Sequence, residues 1–179
     1  MFWKRISSIS KLSSSTLPSK RKEEDAIVSL LARFLEQPEH QWIRQNKVLQ
    51  DRIVELFTRL PQKDLEKFVL AKRGTLAYSD GKWSCTFSKG KAESVILIFP
   101  NLYRLFLSAE FTQAQAILAH EIGHVLLDHN EKRKSEAELQ MEADAYAKSL
   151  GFGQELLYAL QEFPATKELV RRAEKLAGR

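Results

Sequence analysis

The sequence predicts an α+β domain that is mostly helical and carries one small twisted sheet. Apolar residues recur at steps of three and four over most of the chain, as they do on the buried face of a helix. Between residues 74 and 99 the pattern changes to short runs of aromatic and β-branched residues, separated by turn-forming glycines. With 179 residues, the chain can form one domain with a hydrophobic core.

The first half of the chain predicts helices followed by the sheet. Helical spacing begins at Glu23, and prolines end the first two helical segments. The last predicted strand, "SVILIF", is apolar throughout, which is typical of a strand covered on both faces. The predicted helices cover 23–37, 41–60 and 62–73, and the predicted strands cover about 75–79, 82–88 and 94–99.

The second half predicts two long helices and two shorter amphipathic ones. The segment "LSAEFTQAQAILAHEIGHVLLDH" is expected to form one buried helix, capped by Ser108 or by Thr112 with Gln115. Ser135 and Glu138 have the spacing of a capping box at the start of the next helix. The predicted organisation is a tail (1–22) and one domain (23–179), made of N-terminal helices (23–73), sheet (74–107), long helices (108–150) and C-terminal helices (154–178).

The positive charge lies in the tail. Residues 1–22 hold six of the 28 basic residues and none of the 23 acidic ones, so the remainder has a net charge of −1. A nucleic-acid partner is therefore not expected. The tail is serine-rich, lacks the apolar stretch of a secretory signal, and is expected to be disordered or to contact a membrane surface weakly. With no candidate membrane span and a single cysteine, Cys85, a cytoplasmic protein without disulfides is expected, at most peripheral to a membrane.

The segment "HEIGHVLLDH" carries the chemistry. In a helix His120 and His124 lie one turn apart on the same face, so both imidazoles can reach one Zn²⁺ ion. Glu121 lies about 100° around the axis, where it can act as a general base without being a ligand. Gly123 indicates that another part of the chain passes close to this helix. We interpret His129 as an ordinary residue at the helix end rather than as a ligand.

This segment, followed by "MEADAYAKSLGF", resembles the small gluzincin metallopeptidases, first the HtpX and CAAX-prenyl-protease type and next the ImmA/IrrE type. The resemblance covers roughly 105–160, with a weaker echo in "PATKELVRRAEKL". It implies a minigluzincin-like fold, with the sheet packed on the H-E-x-x-H helix and a second helix that supplies the third ligand. It also implies that His120 and His124 bind zinc, that Glu121 is the general base, and that Asp144 hydrogen-bonds a ligating histidine.

The third ligand remains open. The resemblance puts it at Gln140, where those families have glutamate. Gln140 shares a helix face with Asp144, but its amide oxygen is a poorer zinc ligand than a carboxylate. Glu142 has the right chemistry but lies about 200° around the helix. Glu138 is better explained as a capping residue, so the third ligand is expected to be Gln140 or Glu142.

These patterns predict a zinc-dependent metallopeptidase that hydrolyses peptide bonds by metal-activated water, with a peptide or protein as substrate. The substrate can lie along the sheet between residues 74 and 99. Four side chains are eligible to stabilise the oxyanion: Tyr103, Tyr146, Arg171 and Arg172. The alternative is a catalytically impaired gluzincin-fold protein that binds a peptide or partner. A third interpretation is a regulator that the tail attaches to a membrane.

Overall fold

A computed structural model of the chain describes residues 18–71, 74–79, 94–129, 134–162 and 164–178. The fold is α+β and mostly helical, as predicted, with a small sheet of two parallel strands. The α-helices are α1 (Pro18–Glu36), α2 (Gln41–Arg44), α3 (Lys47–Thr58), α4 (Gln62–Glu66), α5 (Pro100–Leu107), α6 (Phe111–Leu126), α7 (Glu136–Ser149), α8 (Gly153–Gln161) and α9 (Lys167–Ala177). A 3₁₀ turn (Pro38–His40) precedes α2, and a π-helical turn (Lys67–Ala71) follows α4.

The first helix begins earlier than the sequence pattern predicts. Helix α1 starts at Pro18, inside the segment that was predicted to belong to the tail. Proline suits the start of a helix because an amide hydrogen there would have no acceptor within the helix, so proline loses no hydrogen bond. The predictions for residues 1–17, including the membrane-surface contact, lie outside the described residues.

The sheet consists of β1 (Thr75–Tyr78) and β2 (Val95–Ile98), and Thr75 pairs with Val95. The strand predicted over 82–88 lies outside the described residues. The expectation that the last strand is covered on both faces is correct only in part. Ile96 and Ile98 are buried, whereas Val95 and Leu97 are half-buried and line a cavity.

The single helix predicted within residues 107–129 is α6, and a further helix that was not predicted, α5, lies before it in the segment assigned to the sheet. Pro100 begins α5, and the extended backbone of Ser108 separates α5 from α6. The predicted caps are wrong, because Glu110 is the residue before α6 and makes no side-chain cap. The Ser108 hydroxyl instead accepts the Glu110 amide at 3.1 Å, and the buried Gln115 amide donates to the Arg52 carbonyl of α3 at 2.8 Å.

Helix α6 is the centre of the fold and packs against α3, α5, α7 and α8. A Cβ at Gly123 would lie 3.3 Å from Cα of Ala143 and 3.2 Å from Cβ of Tyr146, both in α7. The close approach that Gly123 predicted is therefore confirmed, and small residues on both helices allow it. The predicted capping box of Ser135 and Glu138 at the start of α7 is also confirmed.

The hydrophobic core extends from α6 to the helices around it. Its largest fully buried side chains are aromatic rings from α1, α3, the π-helical turn, α5 and the start of α8: Phe34, Phe57, Phe68, Phe106 and Phe152. Because protein interiors are closely packed, this core fixes the position of the histidine-bearing helix α6. Among the helices that the structure describes, none has both the length and the apolarity needed to cross a bilayer.

Candidate metal centre

His120 and His124 face each other on α6, as their spacing predicts. The two Nε2 atoms lie 3.1 Å apart, and His120 is buried. Two imidazoles bound to one tetrahedral zinc ion at ordinary Zn–N distances have their nitrogens about 3.3 Å apart. The observed separation is close to this value, so the two rings fit a shared ion with little movement.

Asp144 of α7 lies beside His120, as the resemblance implies. Its Oδ1 lies 2.8 Å from Nδ1 of His120. The same carboxylate accepts two hydrogen bonds from Arg172 of α9, from Nε and from one terminal nitrogen, each at 2.8 Å. All three side chains are buried. A carboxylate at Nδ1 fixes the tautomer of the ring and leaves the Nε2 lone pair directed at His124.

The ion pair with Arg172 keeps Asp144 charged in spite of its burial. Burial raises the pKa of the Asp144 carboxyl, but the hydrogen bonds from Arg172 and His120 outweigh it and lower the pKa below its usual value. The arginine therefore neutralises a carboxylate that would otherwise be an isolated buried charge. Asp144 can then hold His120 without itself taking a proton.

Glu121 follows His120 on α6 and lines the same cavity as His124. Burial raises the pKa of the Glu121 carboxyl above its usual value, and the nearby His120 and Arg172 oppose this shift only in part. A raised pKa brings a carboxylate closer to the range in which it exchanges protons at neutral pH. Glu121 therefore lines the cavity with a carboxyl group whose pKa is raised, and its role as a general base stays a prediction.

His129 belongs to the cluster, contrary to its interpretation as an ordinary residue at the helix end. Asp128 has a φ of 56°, in the left-handed region, and Lys67 hydrogen-bonds both its carboxylate and the Leu126 carbonyl. This reversal of the chain returns His129 to α6, where its Nδ1 lies 2.7 Å from Nδ1 of His124. His129 is buried, so its ring shields one side of His124 from solvent.

The cluster forms a chain of four contacts that ends in a carboxylate on each side. Asp144 contacts His120, His120 contacts His124, His124 contacts His129, and Nε2 of His129 lies 3.1 Å from Oε2 of Glu142. Each contact needs one proton, but three neutral imidazoles supply only three. If the outer rings donate to the carboxylates and His124 donates to His129, the Nε2 lone pairs of His120 and His124 face each other.

A fourth proton does not fill this gap at neutral pH. Burial, together with the neighbouring His120 and His129, lowers the pKa of His124 to about 4. A metal ion held by these two imidazoles would satisfy both lone pairs, and imidazole nitrogen is a donor that suits zinc. The tautomers of the three imidazole rings are assigned from their hydrogen-bond partners.

No third side chain is in place beside the two histidines as a metal ligand, among the residues that the structure describes. Within the described residues, no three His, Cys, Asp or Glu side chains already converge on one point as a preformed metal site requires. Glu142 contacts His129 and Lys134 rather than the facing nitrogens. Glu138 bonds back to Ser135. Gln140 lines the same cavity as His124, so of the predicted candidates it lies on the correct side.

Three of the side chains considered for oxyanion stabilisation have other partners. The Tyr146 hydroxyl donates to Asp64, the Tyr103 hydroxyl accepts from Asn46, and Arg172 holds Asp144. Arg171 is exposed. An oxyanion role for any of these four side chains stays a prediction.

The site opens into a cavity of about 900 Å³. One wall is β2, and the others come from α5, α6, α7 and α8. The polar residues of the lining are Ser94, Asn101, Glu110, Gln113, Glu121, His124, His129, Glu136, Gln140 and Glu162. The others are apolar, among them Val95, Leu97, Leu102, Leu105, Ile117 and Leu139. A cavity with both kinds of wall can contact apolar groups of a bound molecule and orient it by polar contacts.

Sequence reasoning missed the roles of three residues. Arg172 lies between Leu169 and Leu176 on the buried face of α9, and an arginine on an apolar stripe is a signal that the sequence contains. Glu136 precedes Gln140 by one helical turn and could have been found from that spacing. His129 could not, because a left-handed Asp128 leaves no mark in the sequence pattern.

Comparison with family models, with curated proteins and with solved structures finds no match to this chain. The gluzincin resemblance therefore stays a prediction. It depends on the H-E-x-x-H segment of α6 and on the sequence of α7.

Proposed function

We propose that this protein is a zinc-dependent metallopeptidase. The observation that carries the proposal is the pair of Nε2 atoms of His120 and His124, which face each other 3.1 Å apart with the Glu121 carboxylate beside them in one cavity. The charged carboxylate of Asp144 behind His120 supports it, because ligating histidines commonly donate their second N–H to such a group. Zinc, when bound, supplies a Lewis acid that polarises a carbonyl and acidifies water.

The residues of the chain have distinct tasks in this proposal. Glu121 takes a proton from the attacking water and passes it to the leaving amine, for which its raised pKa is suited. Asp144 and Arg172 keep the His120 ring in one orientation. A substrate segment lies in the cavity against β2, where half-buried Val95 and Leu97 contact its apolar side chains.

The test combines zinc affinity with peptidase activity on an unfolded protein substrate. We expect wild type to bind about one zinc ion and His120→Ala and His124→Ala each to lose it. Glu121→Gln should retain zinc and lose activity by about a hundredfold or more, because it removes only the proton acceptor. Zinc binding that survives both histidine substitutions, or unchanged activity in Glu121→Gln, would contradict the proposal.

One observation favours a second candidate, a peptide-binding protein that does not cleave. The residue at the expected third-ligand position is Gln140, and its amide is hydrogen-bonded to Glu136. For this candidate, wild type and Glu121→Gln bind the same peptides and neither cleaves them. A difference in turnover between the two variants decides in favour of the peptidase.

A further inference from the structure

Glu136, Gln140 and Asp144 form a row on one face of α7. They are spaced by four residues, so their side chains lie above one another along the helix. Asp144, at one end of the row, contacts His120. The row is therefore directed at α6, and Glu136 and Gln140 line the cavity together with His124.

The Gln140 amide is held by its nitrogen. Its Nε2 donates to Oε1 of Glu136 at 2.7 Å. Because an amide NH₂ cannot bind a metal ion and the amide oxygen can, this hydrogen bond decides which end of the group is available to the site.

Glu136 also carries the charge that the amide lacks. A carboxylate that accepts from the NH₂ group polarises the amide and increases the negative charge on its oxygen. The Gln140 oxygen can thus donate its lone pair to a metal ion while Glu136 supplies the negative charge nearby. In a glutamate ligand, one carboxylate does both. This arrangement accounts for a glutamine at a position where the resemblance implies glutamate.

We propose that Gln140 and Glu136 act as a unit, in which the Gln140 oxygen is the third protein donor to zinc and Glu136 positions and polarises that amide. The inference depends on the proposed function, since it concerns the same site. Glu136 is a positioning residue that acts through Gln140.

The experiment measures zinc affinity of the purified full chain by competition with a chelator. We expect Glu136→Gln to weaken zinc binding about 10- to 100-fold, as other partners of metal ligands do. The exchange Glu136→Gln with Gln140→Glu should restore binding to the wild-type level or tighter, because it puts a carboxylate at position 140 and keeps the hydrogen bond. Glu138→Gln is the matched control: it removes the same charge from the same helix, and a capping box accepts glutamine.

A truncation at position 140 separates the inference from its rival. If Glu136 were itself the ligand, Gln140→Ala would keep the zinc affinity of wild type, and the inference would be wrong. An unchanged affinity in Glu136→Gln would overturn it as well, while loss of zinc in His120→Ala would leave the proposed function intact. If wild type binds no zinc, both proposals fail. Restoration in the exchanged protein also excludes misfolding as the cause of the single-variant effect.

Discussion

His40 and the pair His120 and His124 are histidines in buried surroundings, yet their hydrogen bonds differ in kind. Nδ1 of His40 donates to the Phe34 carbonyl at 2.5 Å, and its Nε2 accepts the Leu76 amide at 3.0 Å. One donor and one acceptor satisfy a neutral imidazole completely. His40 therefore joins the end of α1 to β1 and needs nothing further.

The pair on α6 has no such balance. His120 and His124 meet nitrogen to nitrogen, and the chain of contacts that includes them is one proton short. Burial by itself does not distinguish the two places, since His40 and His120 are both buried. The two places differ in whether the ring protons suffice for all the hydrogen bonds that the histidines make. A balanced histidine holds the fold together, and an unbalanced pair is a place for a cation.

The largest expected effect tests whether the pair of His120 and His124 depends on the buried ion pair of Asp144 and Arg172. Arg172→Met leaves the Asp144 carboxylate buried without its cation, which costs about 3 to 5 kcal/mol of unfolding free energy. It should also weaken zinc binding about 10- to 100-fold, because Asp144 no longer holds His120. Urea unfolding and chelator competition measure the two effects. Arg171→Met, which removes the same charge from the exposed neighbouring position, should change neither quantity, and an equal effect there would contradict the role of Arg172.

The next effect tests the balanced site. His40→Ala leaves the Leu76 amide and the Phe34 carbonyl without partners, so we expect the free energy of unfolding to fall by about 3 kcal/mol. Zinc affinity of the folded fraction should remain unchanged. His124→Ala should do the reverse, with zinc lost and stability of the metal-free protein nearly kept. The comparison fails if His40→Ala weakens zinc binding, or if His124→Ala unfolds the metal-free protein.

The smallest effect concerns pH. Burial lowers the pKa of His40, so the folded protein binds fewer protons than the unfolded chain below pH 6.5. Stability is therefore complete above about pH 6.5 and declines as the pH falls towards the folded pKa, by at most about 1.4 kcal/mol per pH unit. In chelator-treated protein, His40→Gln should show a shallower decline than wild type. Equal slopes in the two proteins would mean that His40 does not contribute.

The class of fold and the facing pair of histidines could be predicted because both depend on local pattern. Helical periodicity predicted α6, and within it the four-residue step sets His120 and His124 on one face whatever surrounds them. Gly123 even indicated the crossing of α7. Helix α5 was missed, because its eight residues make only about two turns and give too short a stretch for helical periodicity to show.

The remainder of the site depends on contacts between distant residues. Arg172 reaches Asp144 across 28 positions, and the relation follows only from how α9 packs on α7. Glu142 had the chemistry of a ligand, yet its contact with His129 follows from a left-handed residue at 128. Helical periodicity predicts which residues share one face of a helix. Which distant residues contact that face depends on how the helices pack.

The ion pair of Asp144 and Arg172 has a consequence for how the site is made during synthesis. A growing chain folds from its N-terminal side, so the two histidines and Asp144 emerge before α9 exists. Until α9 docks, Asp144 lacks the guanidinium that keeps it charged when buried. A chain that stops before Arg172 would retain the complete H-E-x-x-H motif and still fail to hold His120 in its ligating orientation.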